Sequence, residues 1–170
     1  MAPLVRRTWA PVGETPVVVH RTGNQRKVSV VAALCLSPAQ RVVRLFFQVH
    51  SERNITRDVV MEFLRQLLRQ IPGELTVVWD RVQAHRAREV QEFLSKFHRL
   101  TCWYLPPYAP ELNPVEYTWS YLKMNPLANV CPTDIEELSE IANRRGHLLS
   151  RRRDLLRSFL NHSPLFYCLK

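Results

Sequence analysis

Two short apolar runs, Leu75-Thr-Val-Val-Trp79 and Leu100-Thr-Cys-Trp-Tyr-Leu105, constrain this chain more than any other feature. Each has the length of a buried strand and is rich in β-branched and aromatic residues, which pack well on a pleated surface. Between them, Val90, Phe93, Leu94 and Phe97 recur at i, i+3, i+4 and i+7 within Ala87 to Leu100, the spacing of one helix face. Strand, helix and strand in that order predict a parallel pair joined by a right-handed crossover. Asp80 follows the first run. The second run empties into a loop, Pro106-Pro107-Tyr108-Ala109-Pro110-Glu111-Leu112-Asn113, and then into Pro114-Val115-Glu116. Both acids therefore leave the carboxyl edge of the pair, where open α/β sheets place their ligands.

The flanking segments supply the rest of an α/β domain. Pro16 to His20, Lys27 to Leu36 and Arg41 to His50 read as strands on the antiparallel side of the sheet, separated by turns at Thr22-Gly23-Asn24-Gln25 and Ser37-Pro38. Thr56 is placed to cap a helix with Asp58 in its first turn; Val60, Phe63, Leu64, Leu67, Leu68 and Ile71 share one face, and Pro72-Gly73 ends it. Thr133-Asp134-Ile135-Glu136 spells a capping box before Ile135, Leu138, Ile141 and Ala142, with Gly146 placed to interrupt that helix. A last amphipathic stretch carries Leu155, Leu156, Phe159 and Leu160 behind Arg151, Arg152 and Arg153. With 170 residues, 46% of them hydrophobic, the chain is expected to form a single domain over 1–170, with residues 132–160 as a C-terminal helical extension.

Charge is distributed unevenly. Residues 1–57 hold nine Arg and Lys against two acids, residues 58–143 eight against twelve, and residues 144–170 seven against one. The two ends are the candidate polyanion-binding surfaces, with a solvated surface as the bland alternative. The four cysteines are far apart and form no Cys-x-x-Cys pair, which argues against a zinc site or a disulfide framework; Cys35 and Cys102, inside apolar runs, read as buried thiols. No apolar run approaches the length of a membrane span or a signal peptide, so a cytoplasmic protein with no membrane partner is expected.

Each candidate site residue has a structural alternative. Asp80 after a strand is either a turn acid or a metal ligand. Asn113-Pro114-Val115-Glu116 is an ideal helix start, with Asn at the N-cap, Pro at N1 and an acid at N3 that can reach back to the cap amide, so Glu116 is either a capping acid or a ligand. His85 either caps the following helix or contacts a phosphate. Trp119 and Tyr121 read as core residues. Arg144 and Arg145, with Arg151 to Arg153, either bind phosphates or balance Asp134, Glu136, Glu137 and Glu140.

Trp79-Asp80-Arg81-Val82-Gln83-Ala84-His85 and the string from Leu105 through Glu116 to Trp119 resemble the catalytic domain of insertion-sequence transposases of the mariner-like group, in the DDE superfamily. Those proteins read Asp-x-x-x-x-His at the first place and Leu-Pro-Pro-Tyr-Ser-Pro-x-Leu-Asn-Pro-x-Glu-x-x-Trp at the second. The resemblance implies an α/β, ribonuclease H-like mixed sheet flanked by helices. It makes Asp80 and Glu116 the second and third acids of a triad, with His85 and Asn113 supporting them and two Mg2+ or Mn2+ ions as cofactors. It also implies that the segment from Arg6-Arg7-Thr8-Trp9 to Thr15-Pro16 follows the first Asp, which would lie before Met1 together with the first strand. The implied function is metal-dependent DNA strand cleavage and transfer. The implied partners are transposon ends and target DNA, met by Arg6, Arg7, Arg151, Arg152 and Arg153, a second copy in a homodimer, and a separately encoded N-terminal half. The alternative expectation is a catalytically inactive remnant, or a split-gene half, that keeps only DNA binding or assembly.

Overall fold

The computed structural model describes Arg7, residues 9–15, Val17, residues 27–39 and residues 42–169. The expected strand Pro16 to His20, apart from Val17, its following turn, and Arg6 lie outside the described residues. Strands β1 (Val28–Leu36) and β2 (Val43–Ser51) form an antiparallel hairpin in which Leu36 faces Val43 and Val28 faces Ser51. Helix α1 (Arg57–Gln70) follows, then β3 (Leu75–Trp79), the short helices α2 (Gln83–Arg86) and α3 (Arg88–Leu94), and β4 (Leu100–Tyr104). β3 and β4 pair in parallel from Leu75 opposite Leu100 to Trp79 opposite Tyr104, as the strand-helix-strand order requires. Helices α4 (Pro114–Met124), α5 (Ile135–Ser150) and α6 (Arg153–His162) complete the described fold. Among the described residues the two strand pairs do not hydrogen-bond to each other, so the expected mixed sheet is present as two pieces.

What unites the pieces is burial. Val60, Phe63, Leu64, Leu67 and Leu68 of α1 form one core with Trp79, Val90, Phe93 and Leu100, and Val31, Ala33 and Cys35 of β1 pack against the same cluster. The alternate residues of that strand, Ala32, Leu34 and Leu36, point the other way. They join Val43, Leu45 and Phe47 of β2 in a second core with Leu122, Leu149, Leu156, Phe159 and Leu160. The hairpin is thus covered on both faces, which is why its sequence reads as an almost unbroken apolar run. Leu64 and Leu67 are almost wholly buried, and burial at each contributes about 1.5–3 kcal/mol.

Three local expectations are corrected. The helix expected over Ala87 to Leu100 stops at Leu94: Lys96 and Phe97 donate to Phe93 O and Leu94 O, a tightened last turn that brings the chain round to β4. Phe97 still packs against Phe93, ring centroids 4.7 Å apart and planes tilted by 45°, so the apolar stripe is used without the helix. The capping box is shifted by one residue. Asp134, not Thr133, is the N-cap of α5, accepting from Glu137 N at 2.7 Å, while the Glu137 carboxylate takes Thr133 N at 2.6 Å and Thr133 Oγ1 at 2.8 Å. Gly146 does not interrupt α5; it is buried where the helix meets the Phe47 ring.

Candidate active site

Asp80 is the residue immediately after β3, so its backbone is fixed by the sheet. The ladder runs on past it, Leu105 N donating to Trp79 O at 2.8 Å. Its side chain is 45% exposed and makes two contacts through one oxygen: Oδ1 accepts from Val82 N at 3.2 Å and pairs with His85 Nδ1 at 2.8 Å. The His85 ring beside it holds the Asp80 carboxyl below the usual carboxylate range; partial burial opposes this shift and the Val82 amide adds to it. His85 is itself built into the fold. Its imidazole lies flat on Trp79, centroids 4.4 Å apart and planes 9° from parallel. Its carbonyl accepts from Tyr104 Oη at 3.0 Å and from Gln91 Nε2 at 3.1 Å. His85 thus pairs with Asp80, and Tyr104 of β4 and Gln91 of α3 hold its backbone in place.

Glu116 stands in the first turn of α4. Asn113 is the N-cap, its side chain accepting from Val115 N at 3.2 Å, and Pro114 occupies N1. Glu116 does not close the capping box, because Asn113 N donates to Pro110 O instead. Its carboxylate is exposed and has no hydrogen-bond or ion-pair partner among the described residues. Helix α4 is held by α6: Tyr117 meets His162 edge-on at 5.4 Å, Tyr121 meets Phe159 at 5.8 Å, and Arg152 Nη1 donates to Tyr121 Oη at 2.9 Å. Trp119 packs against the second core.

Two ties join the acid-bearing segments to the body, and sequence alone singles out neither. Arg81 Nε donates to Leu105 O at 3.1 Å, linking the residue after Asp80 to the start of the loop that leads to Glu116. At the other end of that loop the buried Ser163 Oγ donates to Leu112 O at 2.8 Å. A serine just past a helix is too common to mark such a contact, whereas an arginine beside a strand-end acid is the weak signal that marks the first.

Arg7, Arg151, Arg152 and Arg153 are exposed, the last three at the start of α6. Burial pushes the Cys35 thiol up to about 12 and the Cys102 thiol up to about 11, which favours the protonated thiol at neutral pH. Asp80 and Glu116 carry hard carboxylate oxygens, the type that suits Mg2+ or Mn2+. Among the described residues no group of three His, Cys, Asp or Glu converges as a metal site. No helix there is long and apolar enough to cross a membrane.

A parallel pair with an acid at its carboxyl edge, an antiparallel hairpin and the helices packed on them make an α/β fold of the ribonuclease H-like class. Residues 2–139 match the family model for DDE superfamily endonuclease, and the chain belongs to that family. Among solved structures it is similar to the Mos1 transposase paired-end complex with left transposon end, at TM-score 0.55 and 16% identity over 96% of this chain and 52% of that one. It is likewise similar to the Mos1 mariner paired-end complex with Mn, at TM-score 0.54 and 16% identity over 95% and 52%. The Mos1 strand transfer complex follows at TM-score 0.52 and 16% identity over 95% and 50%. At that identity the likeness establishes the fold. The chain spans about half the length of those structures. Comparison with curated proteins gives no match.

Proposed function

We propose that this chain is the catalytic part of a DNA transposase, cleaving and transferring DNA strands with Mg2+ or Mn2+. One observation carries the reading. Asp80 and Glu116 stand on segments tied together at the carboxyl edge by the Arg81 to Leu105 bond, and Glu116, placed where it could cap its helix, leaves its carboxylate unpartnered. When bound, two divalent ions hold the attacking and leaving oxygens and offset the charge that develops between them. Asp80 offers one oxygen for such an ion, because Val82 and His85 occupy Oδ1 and leave Oδ2 without a bond. Glu116 supplies an acid whose position follows the docking of α4 on α6. Arg151, Arg152 and Arg153 crowd positive charge at a helix N-terminus, where the macrodipole is already positive, an arrangement that a phosphate would relieve. Arg7, exposed and next to Arg6 in sequence, adds positive charge toward the other end of the chain.

The rival reading, a chain that binds DNA or assembles without cutting it, is favoured by the lack of a third converging acid among the described residues. Nicking of supercoiled DNA separates the two. On the catalytic reading, the protein nicks DNA in Mg2+, and Asp80→Ala or Glu116→Ala abolishes turnover while leaving DNA affinity in place. Cleavage that survives Asp80→Ala would overturn the assignment of the site.

A further inference from the structure

The loop between β4 and α4 is anchored at both ends and strained in the middle. At its entry Leu105 N donates to Trp79 O and Arg81 Nε donates to Leu105 O; at its exit Tyr117 Oη donates to Glu111 O and Ser163 Oγ to Leu112 O. Pro106, Pro107 and Pro110 fix φ at three positions between the anchors. Tyr108, between them, has φ 58°, a left-handed conformation that costs energy for any residue with a Cβ. Its side chain is 100% exposed.

Neither property serves the fold. Glycine would make the same turn without strain, and an aromatic ring wholly in water contributes nothing to a core. A fixed loop that holds a strained residue and displays unused aromatic surface, between Asp80 and Glu116 in the chain's path, is the arrangement of a ligand contact. The chemistry of its surroundings narrows the ligand. Asp80, Glu111 and Glu116 stand on the segments joined by this loop and Arg81 is bonded at its entry, so charge is already supplied on either side, and what the uncharged ring adds is a planar face suited to a neutral planar group. A nucleobase is such a group, and its face is free only where a strand is unpaired, because bases inside a duplex are already stacked.

We infer that Tyr108 is a stacking platform for an unpaired DNA base, and that it fixes which phosphodiester of the strand comes to Asp80 and Glu116. This inference rests on the proposed function. Stacking needs no hydrogen-bond readout, so the platform would accept any base.

Two duplexes test it on the full chain. One carries two unpaired 3′ nucleotides with 2-aminopurine at the terminal position, and the other is blunt and otherwise identical. Tyr108→Gly is expected to keep or raise the thermal midpoint, to weaken binding to the unpaired end by roughly 5- to 150-fold, and to leave blunt-duplex affinity within about twofold. Binding by the original chain should change the 2-aminopurine fluorescence. Tyr108→Trp should restore that signal and the affinity, and Tyr108→Gly should lose both. If both duplexes bind and Tyr108→Gly changes neither, the stacking role is wrong and the proposed function stands. If the original chain binds neither duplex, the proposed function fails and takes this inference with it. A lower midpoint for Tyr108→Gly would show that the ring serves packing, which also overturns the inference.

Discussion

Gly146→Ala sets helix propensity against packing, and the distances decide the sign. Inside a helix Ala is ordinarily favoured over Gly by about 0.8–1 kcal/mol. At this position a Cβ would stand 2.6 Å from both Cε2 and Cζ of Phe47 and 3.2 Å from its Cδ2. Ordinary contact needs roughly 3.5–4 Å, so the ring or the helix must give way by about 1 Å. Phe47 has little room to do so: it packs against the second core, and its ring lies edge-on to His147 with centroids 5.0 Å apart. Overpacking of this kind costs about 1–3 kcal/mol, which outweighs the propensity gain and leaves a net loss of about 1 kcal/mol. For a domain of this size that loss lowers the thermal midpoint by roughly 2–4 °C. Urea unfolding followed by circular dichroism measures it. In a Phe47→Leu background, where the ring is gone, Gly146→Ala should change sign and stabilise by about 0.5–1 kcal/mol. Stabilisation by Gly146→Ala with Phe47 in place would refute the close approach of α5 to β2.

Three further outcomes are expected. Because the fold depresses the Asp80 pKa, its contribution to stability is fully present above the ordinary carboxylate value and is lost as pH falls through the lowered one. His85→Ala should therefore move the Asp80 carboxyl carbon titration upward and flatten the acid limb of the stability curve; an unmoved titration would mean that His85 does not hold this acid. Ser163→Ala removes the buried donor to Leu112 O and should cost about 1–3 kcal/mol, with new exchange broadening in amide spectra at the first turn of α4; a rigid α4 in that variant would deny the tie its positioning role. Replacing Arg151, Arg152 and Arg153 by Ser should lower the slope of log affinity against log salt by up to about 2.7 if each meets a phosphate, and an unchanged slope would place the DNA surface elsewhere.

Much of this fold is written in local rules. β3 begins and ends where the run Leu75 to Trp79 does, α1 starts after Thr56 and stops before Pro72-Gly73, and Asn113-Pro114 starts α4. Each depends on a period, a cap or a breaker within a few residues, which interact whatever the rest of the chain does. The same locality made Asp80 legible as a strand-end acid, and the strand-helix-strand order put it at a ligand-binding edge. His85 was marked in the sequence only by its place in a motif, and its contact with Asp80 was not. The contact itself depends on Trp79 giving the imidazole a flat surface and on Tyr104 and Gln91 holding its backbone.

Other features became definite only when distant segments packed together. Glu116 carried two readings in sequence, and the cap amide it could have reached, Asn113 N, donates to Pro110 O instead. Gly146 read as a helix breaker because nothing near it in sequence reveals that the Phe47 ring would press against its Cα side. The tie from Ser163 to Leu112 spans 51 residues, and the second core that brings the two together draws on β1, β2, α4, α5 and α6 at once. Sequence determined the elements and the residues at the carboxyl edge, because those follow from interactions within a turn or a strand. Tertiary structure decided which polar atoms are occupied and which stay open, because that depends on every neighbour a residue meets when the chain is folded.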